Sequence, residues 1–135
     1  MDATELFGPV IYGYSRAQAM EDGVLVDVTP IAKEAGITLP TVVTRAVWDI
    51  CCEVPQDPRG PVVGQDERGR LWDVVHLCAV QLRAAKRAGS KGDRVHFSVN
   101  VRQADHRLHM AQLYAVVGPG DDPAPVLTIV EEGED

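Results

Sequence analysis

Residues Gln65–Ala88, QDERGRLWDVVHLCAVQLRAAKRA, constrain the fold more than any other stretch, because a helix is what reconciles their apolar spacing. Leu71, Val75, Cys78, Leu82 and Ala85 recur at three- and four-residue intervals, the period of one helix face. Trp72, Val74 and Ala79 widen that face beyond a narrow stripe, so the helix needs cover on more than one side. Asp73, His76, Arg83 and Arg87, interrupted by Val80, form the thin polar strip that remains. Gly69 precedes the first apolar position and Gly89 follows the last alanine, where a helix can end at positive φ without a Cβ penalty. Arg83, Lys86 and Arg87 sit in the last turns, where cations favour the negative end of the helix dipole.

The flanking segments supply short elements. Pro9–Tyr12 (PVIY) reads as an edge strand, since its proline cannot donate to a ladder. Ser15 with Gln18 three residues on is a capping box for a short helix that Gly23 stops. Val24–Val28 is a β-branched run that reads as a strand. Thr29–Pro30 is a helix start, with threonine as N-cap and proline at the first helical position, and this helix ends at Gly36. Pro40 and Thr41 introduce a third helix, VVTRAVWDICCE. The proline-rich stretch 55–69 is a long loop with a short strand expected at Pro61–Val63.

Beyond Gly89 the period changes. Arg94–Arg102 alternates, with Val95, Phe97, Val99 and Val101 on one side and His96, Ser98 and Asn100 on the other. Leu108–Val117 is a second strand and Val126–Val130 a third. Sequential strands with modest connections form an antiparallel meander most simply. The expected fold is therefore α+β: a long, largely buried central helix packed on a three-stranded antiparallel meander, with short N-terminal helices. At 135 residues the chain makes one domain, 1–135, with 1–8 and the charged 131–135 expected to be flexible.

Charge and cysteine content bound the function. The net charge is −7, and it is segregated: residues 1–58 carry nine acids and three bases, 59–117 five acids and ten bases, 118–135 six acids and no base. Ordinary solubility explains such a distribution. The sharper reading is an acidic surface that imitates the phosphate field and competes with nucleic acid for a basic protein. Three cysteines without an evenly spaced framework or a signal-peptide pattern suggest free thiols in the cytoplasm, and no apolar run approaches membrane-spanning length.

No catalytic constellation emerges. His106 and His109 fall on opposite faces of a strand, Cys51 and Cys52 diverge on a helix, and no Cys-x-x-Cys or His-Glu-x-x-His pattern exists, so neither metal nor cofactor is expected. Cys78 lies on the buried face, away from His76, and is a poor nucleophile candidate. GPGDD lacks the lysine and following helix of a phosphate loop, and its Asp121 and Asp122 would repel phosphate. Trp48 and Trp72 are core anchors on the simplest view; an exposed tryptophan beside acids would instead mark a binding hot spot. Arg83, Lys86, Arg87, Lys91, Arg94, Arg102 and Arg107 could gather into a basic patch. The acidic balance and the lack of interleaved aromatics argue against direct nucleic-acid binding.

Four blocks, VIYGYSRAQAMEDGVLVDVTPIAKEAG, LPTVVTRAVWDIC, QDERGRLWDVVHL and VVGPGDDPAPVLTIVEEGED, resemble an uncharacterised family of small bacterial proteins carried on plasmids, phages and other mobile elements. That resemblance implies a cargo protein from a setting rich in anti-CRISPR and anti-restriction factors. The expectation is a non-enzymatic inhibitor of a host protein or nucleoprotein defence complex, binding through acidic surface. Asp66, Glu67, Asp73, His76, Asp121, Asp122, Glu131 and Glu132 are the candidate contact residues. A small enzyme or ligand-binding domain using Asp73, His76 and the basic strip is the alternative, and a plasmid-maintenance DNA-binding factor a third. An exposed edge strand of the meander offers a route to a homodimer.

Overall fold

Short apolar runs punctuated by positive-φ glycines set the element boundaries in the computed structural model, which describes residues 15–53, 66–89, 92, 94–102, 107–121 and 124–134. Helix α1 (Arg16–Glu21) begins as its capping serine requires, with Ser15 Oγ accepting from the Gln18 amide at 3.0 Å. Gly23, at φ 78°, turns the chain into strand β1 (Leu25–Asp27). Helix α2 (Thr29–Glu34) follows and stops at Gly36, φ 96°.

The α2 start departs from the expected cap. The helix begins at Thr29 itself, and the Thr29 hydroxyl makes no cap hydrogen bond. It donates to Asp27 Oδ1 at 2.6 Å and accepts from the Thr41 amide at 3.0 Å, tying α2 to the next strand.

That strand, β2 (Thr41–Thr44), corrects the third-helix reading: Thr41 and the first three residues of the segment are extended and all buried. Helix starts only at Arg45, where Thr44 Oγ1 accepts from the Val47 amide at 3.3 Å. One short α-helical piece, α3 (Arg45–Val47), runs directly into a π-helical turn, Trp48–Cys52, closed by Glu53 N–H donating to the Trp48 carbonyl at 2.8 Å.

Helix α4 (Glu67–Arg87) is the long helix expected, ending at Gly89 with φ 71°. It starts two residues before Gly69: Asp66 is the N-cap and its Oδ1 accepts from the Gly69 amide at 2.5 Å. Burial is one-sided rather than all round. Val74, Val75, Cys78 and Ala79 centre the buried face, joined by Arg70, whereas Leu71 and Leu82 are only half-buried and Trp72 is exposed.

Strands β3 (Arg94–Arg102), β4 (Leu108–Pro119) and β5 (Pro125–Glu131) form the predicted antiparallel meander. The sheet is larger than a meander, however. It has five strands in the order β1-β2-β5-β4-β3, and β2 pairs with β5 in parallel. The pairing directions make β2 and β3 run the same way, and α4 lies between them in sequence as the crossover that such strands require. β4 and β5 fill the gap between them.

Helix α4 packs on the sheet face carrying Phe97, Val99, Ala111, Leu113, Ala115, Leu127, Ile129 and Val43, the main core. On the opposite face Tyr114, Val116 and Val130 form a second buried cluster, and Ala19 of α1 packs with Leu25 and Val42 in a third. The C-terminal acids end β5 and continue as an exposed 3-10 turn (Glu132–Glu134), in which Glu134 Oε2 accepts from Thr44 Oγ1 and from the Glu131 amide, both at 2.7 Å. Pro9–Tyr12, the segments 1–8 and 61–63, Lys91, His106, Asp122 and Asp135 lie outside the described residues. Among the described residues no helix is long and apolar enough to cross a membrane.

Candidate functional site

The first two turns of α4 meet α2 and the π-helical turn, and two concavities open along that seam. One, of about 680 Å³, is lined by Ile31, Glu34, Asp66, Arg68, Gly69 and Trp72. The other, of about 330 Å³, has a wall of Val28, Pro30, Ile31, Trp48 and Leu71, with Asp27, Glu67 and Arg68 around it. Ile31 and Arg68 belong to both. Four carboxylates and one guanidinium therefore line the pair of concavities, and that guanidinium is already engaged: Arg68 Nη2 donates to both Glu34 oxygens, at 3.0 and 2.7 Å.

Helix geometry positions this set. Asp66 caps the N-terminus of α4, and Glu67 occupies its first turn, where negative charge is favoured by the dipole. Gly69 makes room for the cap, since a Cβ there would lie 3.0 Å from Asp66 Oδ1. Trp72, 36% exposed, stands on the solvent side of the helix and stacks on His76 one turn later, with ring centroids 5.5 Å apart and planes 16° from parallel. Asp73 is exposed beside them. The Asp73, His76, Arg83 and Arg87 strip is solvent-exposed as its spacing requires, although Arg83 Nη1 donates to the Ala35 carbonyl at 3.4 Å.

The expected acidic contact residues separate into two groups. Asp66, Glu67, Asp73 and His76 gather on the first three turns of α4. Asp121, Glu131 and Glu132 sit elsewhere; the Asp121 and Glu132 carboxylates have structural partners, whereas Glu131 is tied through its backbone amide to Glu134. Asp121 Oδ1 and Oδ2 accept from the Arg16 and Ala17 amides at 2.6 and 3.1 Å, clamping the start of α1. The Arg16 side chain reaches on to Thr128 Oγ1 and the Leu127 carbonyl, and burial holds its pKa below the ordinary arginine value despite nearby Asp121 and Asp27. Glu132 Oε1 is 2.7 Å from His96 Nδ1, beside the Tyr114 ring, which Arg94 covers at 4.6 Å. Asp121 and Glu131 lie off opposite ends of β5, about 20 Å apart at the rise of an extended chain, so they make no single patch with each other.

The enzyme alternative required Asp73 and His76 to converge with a sheet histidine. His96 points from the sheet face opposite α4, since its strand neighbours Val95 and Phe97 alternate with it and Phe97 belongs to the α4-side core. Neither concavity is lined by a histidine. The thiols are fully buried, and burial raises Cys51 to about 11 and Cys52 and Cys78 to about 12, so none is a thiolate near neutrality. Among the described residues no group of His, Cys, Asp and Glu is arranged to hold a metal ion.

Two contributors escape a reading of residue types. Arg70 is 5% exposed, and its Nε and Nη2 donate to the Cys51 and Ile50 carbonyls at 2.9 and 3.3 Å, fixing the turn that carries Trp48. Its spacing with Val74 and Cys78 was the available signal, because positions four apart share a face. Glu34, the partner of Arg68, has no comparable signature. A profile described as "Family of unknown function (DUF6573)" matches residues 2–135. No curated protein and no solved structure matches the chain.

Proposed function

The chain belongs to DUF6573, a family of unknown function, and from that premise we propose that it acts by binding another macromolecule through the first three turns of α4. The observation that carries this reading is Trp72: an indole on the solvent face, stacked on His76 and lining one concavity with Asp66, on a helix start whose Glu67 and Asp73 are also exposed. Tryptophan is enriched among residues that dominate interface energetics, and a large ring left in water gains by being covered. The surrounding carboxylates select a basic partner and repel nucleic acid.

The resemblance to mobile-element cargo favours a host protein or nucleoprotein defence complex as that partner, with inhibition as the outcome. The acidic surface in this proposal is narrower than the sequence suggests. Asp121 and Glu132 are engaged within the fold, so the α4 acids carry the charge complementarity.

The test is capture of purified CRISPR and restriction effectors by the chain and its variants. The 36% of Trp72 still exposed is about 90 Å² of a side chain of roughly 250 Å², and covering it contributes about 2 kcal/mol at 25 cal/mol/Å². Trp72→Ala is therefore expected to weaken binding about 40-fold, and Asp73→Lys to weaken it further at low salt than at high salt. Equal capture by wild type and both variants would overturn the reading.

A further inference from the structure

The smaller concavity has a composition that its neighbour lacks. Its wall is Pro30, Ile31, Trp48 and Leu71, an apolar surface ending in an indole, while Glu67 stands at its edge. Trp48 is half-buried, and Arg70 pins the π-helical turn that carries it through the Cys51 and Ile50 carbonyls, so the backbone from which the ring projects is fixed. Among the described residues the Glu67 carboxylate makes no hydrogen bond or ion pair. Asp27, the second carboxylate here, uses Oδ1 for Thr29. Arg68 also borders the space, but both Glu34 oxygens accept from it, which reduces its repulsion of an incoming cation.

Which side chain complements such a site follows from its parts. A purely apolar residue would cover the wall and strip water from Glu67 without replacing its hydrogen bonds, which is unfavourable. Lysine satisfies Glu67 as a point charge but lies poorly on an indole. Arginine does all three: its methylene stem lies along Ile31 and Leu71, its flat guanidinium covers a tryptophan face, and its remaining N–H groups pair with a carboxylate.

We propose that the Trp48 cleft binds an arginine side chain of the partner protein, with the guanidinium over the Trp48 ring and paired with Glu67. This rests on the macromolecule-binding reading and specifies the chemistry of its partner. Arginine is the residue proteins use to hold phosphate, so a cleft of this kind would occupy a nucleic-acid-binding side chain directly.

The probes are three capped pentapeptides, Gly-Gly-Xaa-Gly-Gly, with arginine, lysine or citrulline at the centre, titrated into the full chain. The readout is the Trp48 indole N–H resonance, assigned with Trp72→Phe, in which Trp48 is the remaining tryptophan. The arginine peptide is expected to shift that resonance saturably, with lysine several-fold weaker and the uncharged isostere citrulline at least tenfold weaker. Glu67→Gln, a change at an exposed first-turn position, is expected to remove most of the preference for arginine over citrulline while circular dichroism stays unchanged. Equal binding of arginine and citrulline, or no shift with any peptide, would overturn the proposal. The two readings separate cleanly: effector capture that depends on Trp72 without any arginine response sinks only the cleft, whereas an arginine response with Trp72-independent capture sinks the broader reading.

Discussion

Arg70→Met offers the sharpest check on how the site is built. Arg70 occupies the buried face of α4, where every other buried residue is apolar or small, and it donates to two carbonyls of the π-helical turn. Methionine keeps the stem and the volume but donates nothing. Hydrogen bonds to a charged donor contribute roughly 1.5–3 kcal/mol each. The 2.9 Å bond to Cys51 belongs near the middle of that range, and the 3.3 Å bond to Ile50, longer than the optimum, belongs below it. Removing a buried cation returns part of its desolvation penalty, so the net loss is expected to be about 3 kcal/mol rather than the full sum.

That loss is within the 5–15 kcal/mol typical of a domain, so the variant stays folded in buffer. With a urea slope of about 1.5 kcal/mol/M, the unfolding midpoint should fall by about 2 M, followed by tryptophan fluorescence. Arg70→Lys, which keeps charge but loses the two-point reach, should fall between. The exposed Arg87→Met should leave the midpoint within about 0.3 M of wild type. If Arg70→Met behaves like Arg87→Met, the buried guanidinium is not what holds the Trp48 turn, and the rigidity argued for the cleft fails with it.

Other outcomes follow from the same geometry. Because burial raises all three thiols toward 11 or 12, their folded form holds its protons more tightly than the unfolded chain does; the stability they protect is complete below about pH 9 and is lost as pH rises toward 12. Urea titrations between pH 8 and 11 should show this decline, and Cys78→Ala should make it shallower; an identical slope would refute the assignment. Asp121→Ala removes the acceptor of two α1 amides and should reduce stability by about 1 kcal/mol, a helix-cap loss read as a lowered melting temperature. Gly36→Ala places a Cβ at φ 96° and 3.4 Å from Arg83 Nη1, so it should destabilise by about 1 kcal/mol or more, whereas an exposed-helix alanine such as Gln81→Ala should not. Thr44→Val deletes both the α3 cap and the bond to Glu134; increased amide exchange at Val47 and Glu131 would confirm that the C-terminal acids are held by β2.

Local chemistry made several of these features legible in the chain itself. The 3.6-residue period of 71–85 gave α4, two-residue alternation gave β3 and β4, and Gly23, Gly36 and Gly89 marked helix ends because each takes a positive φ. Asp66 and Glu67 were likewise visible as the polar entry to a helix. β2 was not, since a strand covered on both faces shows no alternation, and TVVT runs straight into a helical sequence. Its parallel pairing with β5 joins residues more than eighty positions apart, a distance no local pattern encodes.

The same limit governs the site. Helical spacing could put Trp72 at the shoulder of the apolar face, but whether that shoulder meets core or water depends on where α2 and the sheet lie. Likewise, Arg68 and Arg70, two residues apart with the same side chain, divide between an exposed pair with Glu34 and a buried clasp on the Trp48 turn. Sequence fixes which way each side chain leaves the helix; only the packed neighbours decide what it finds there.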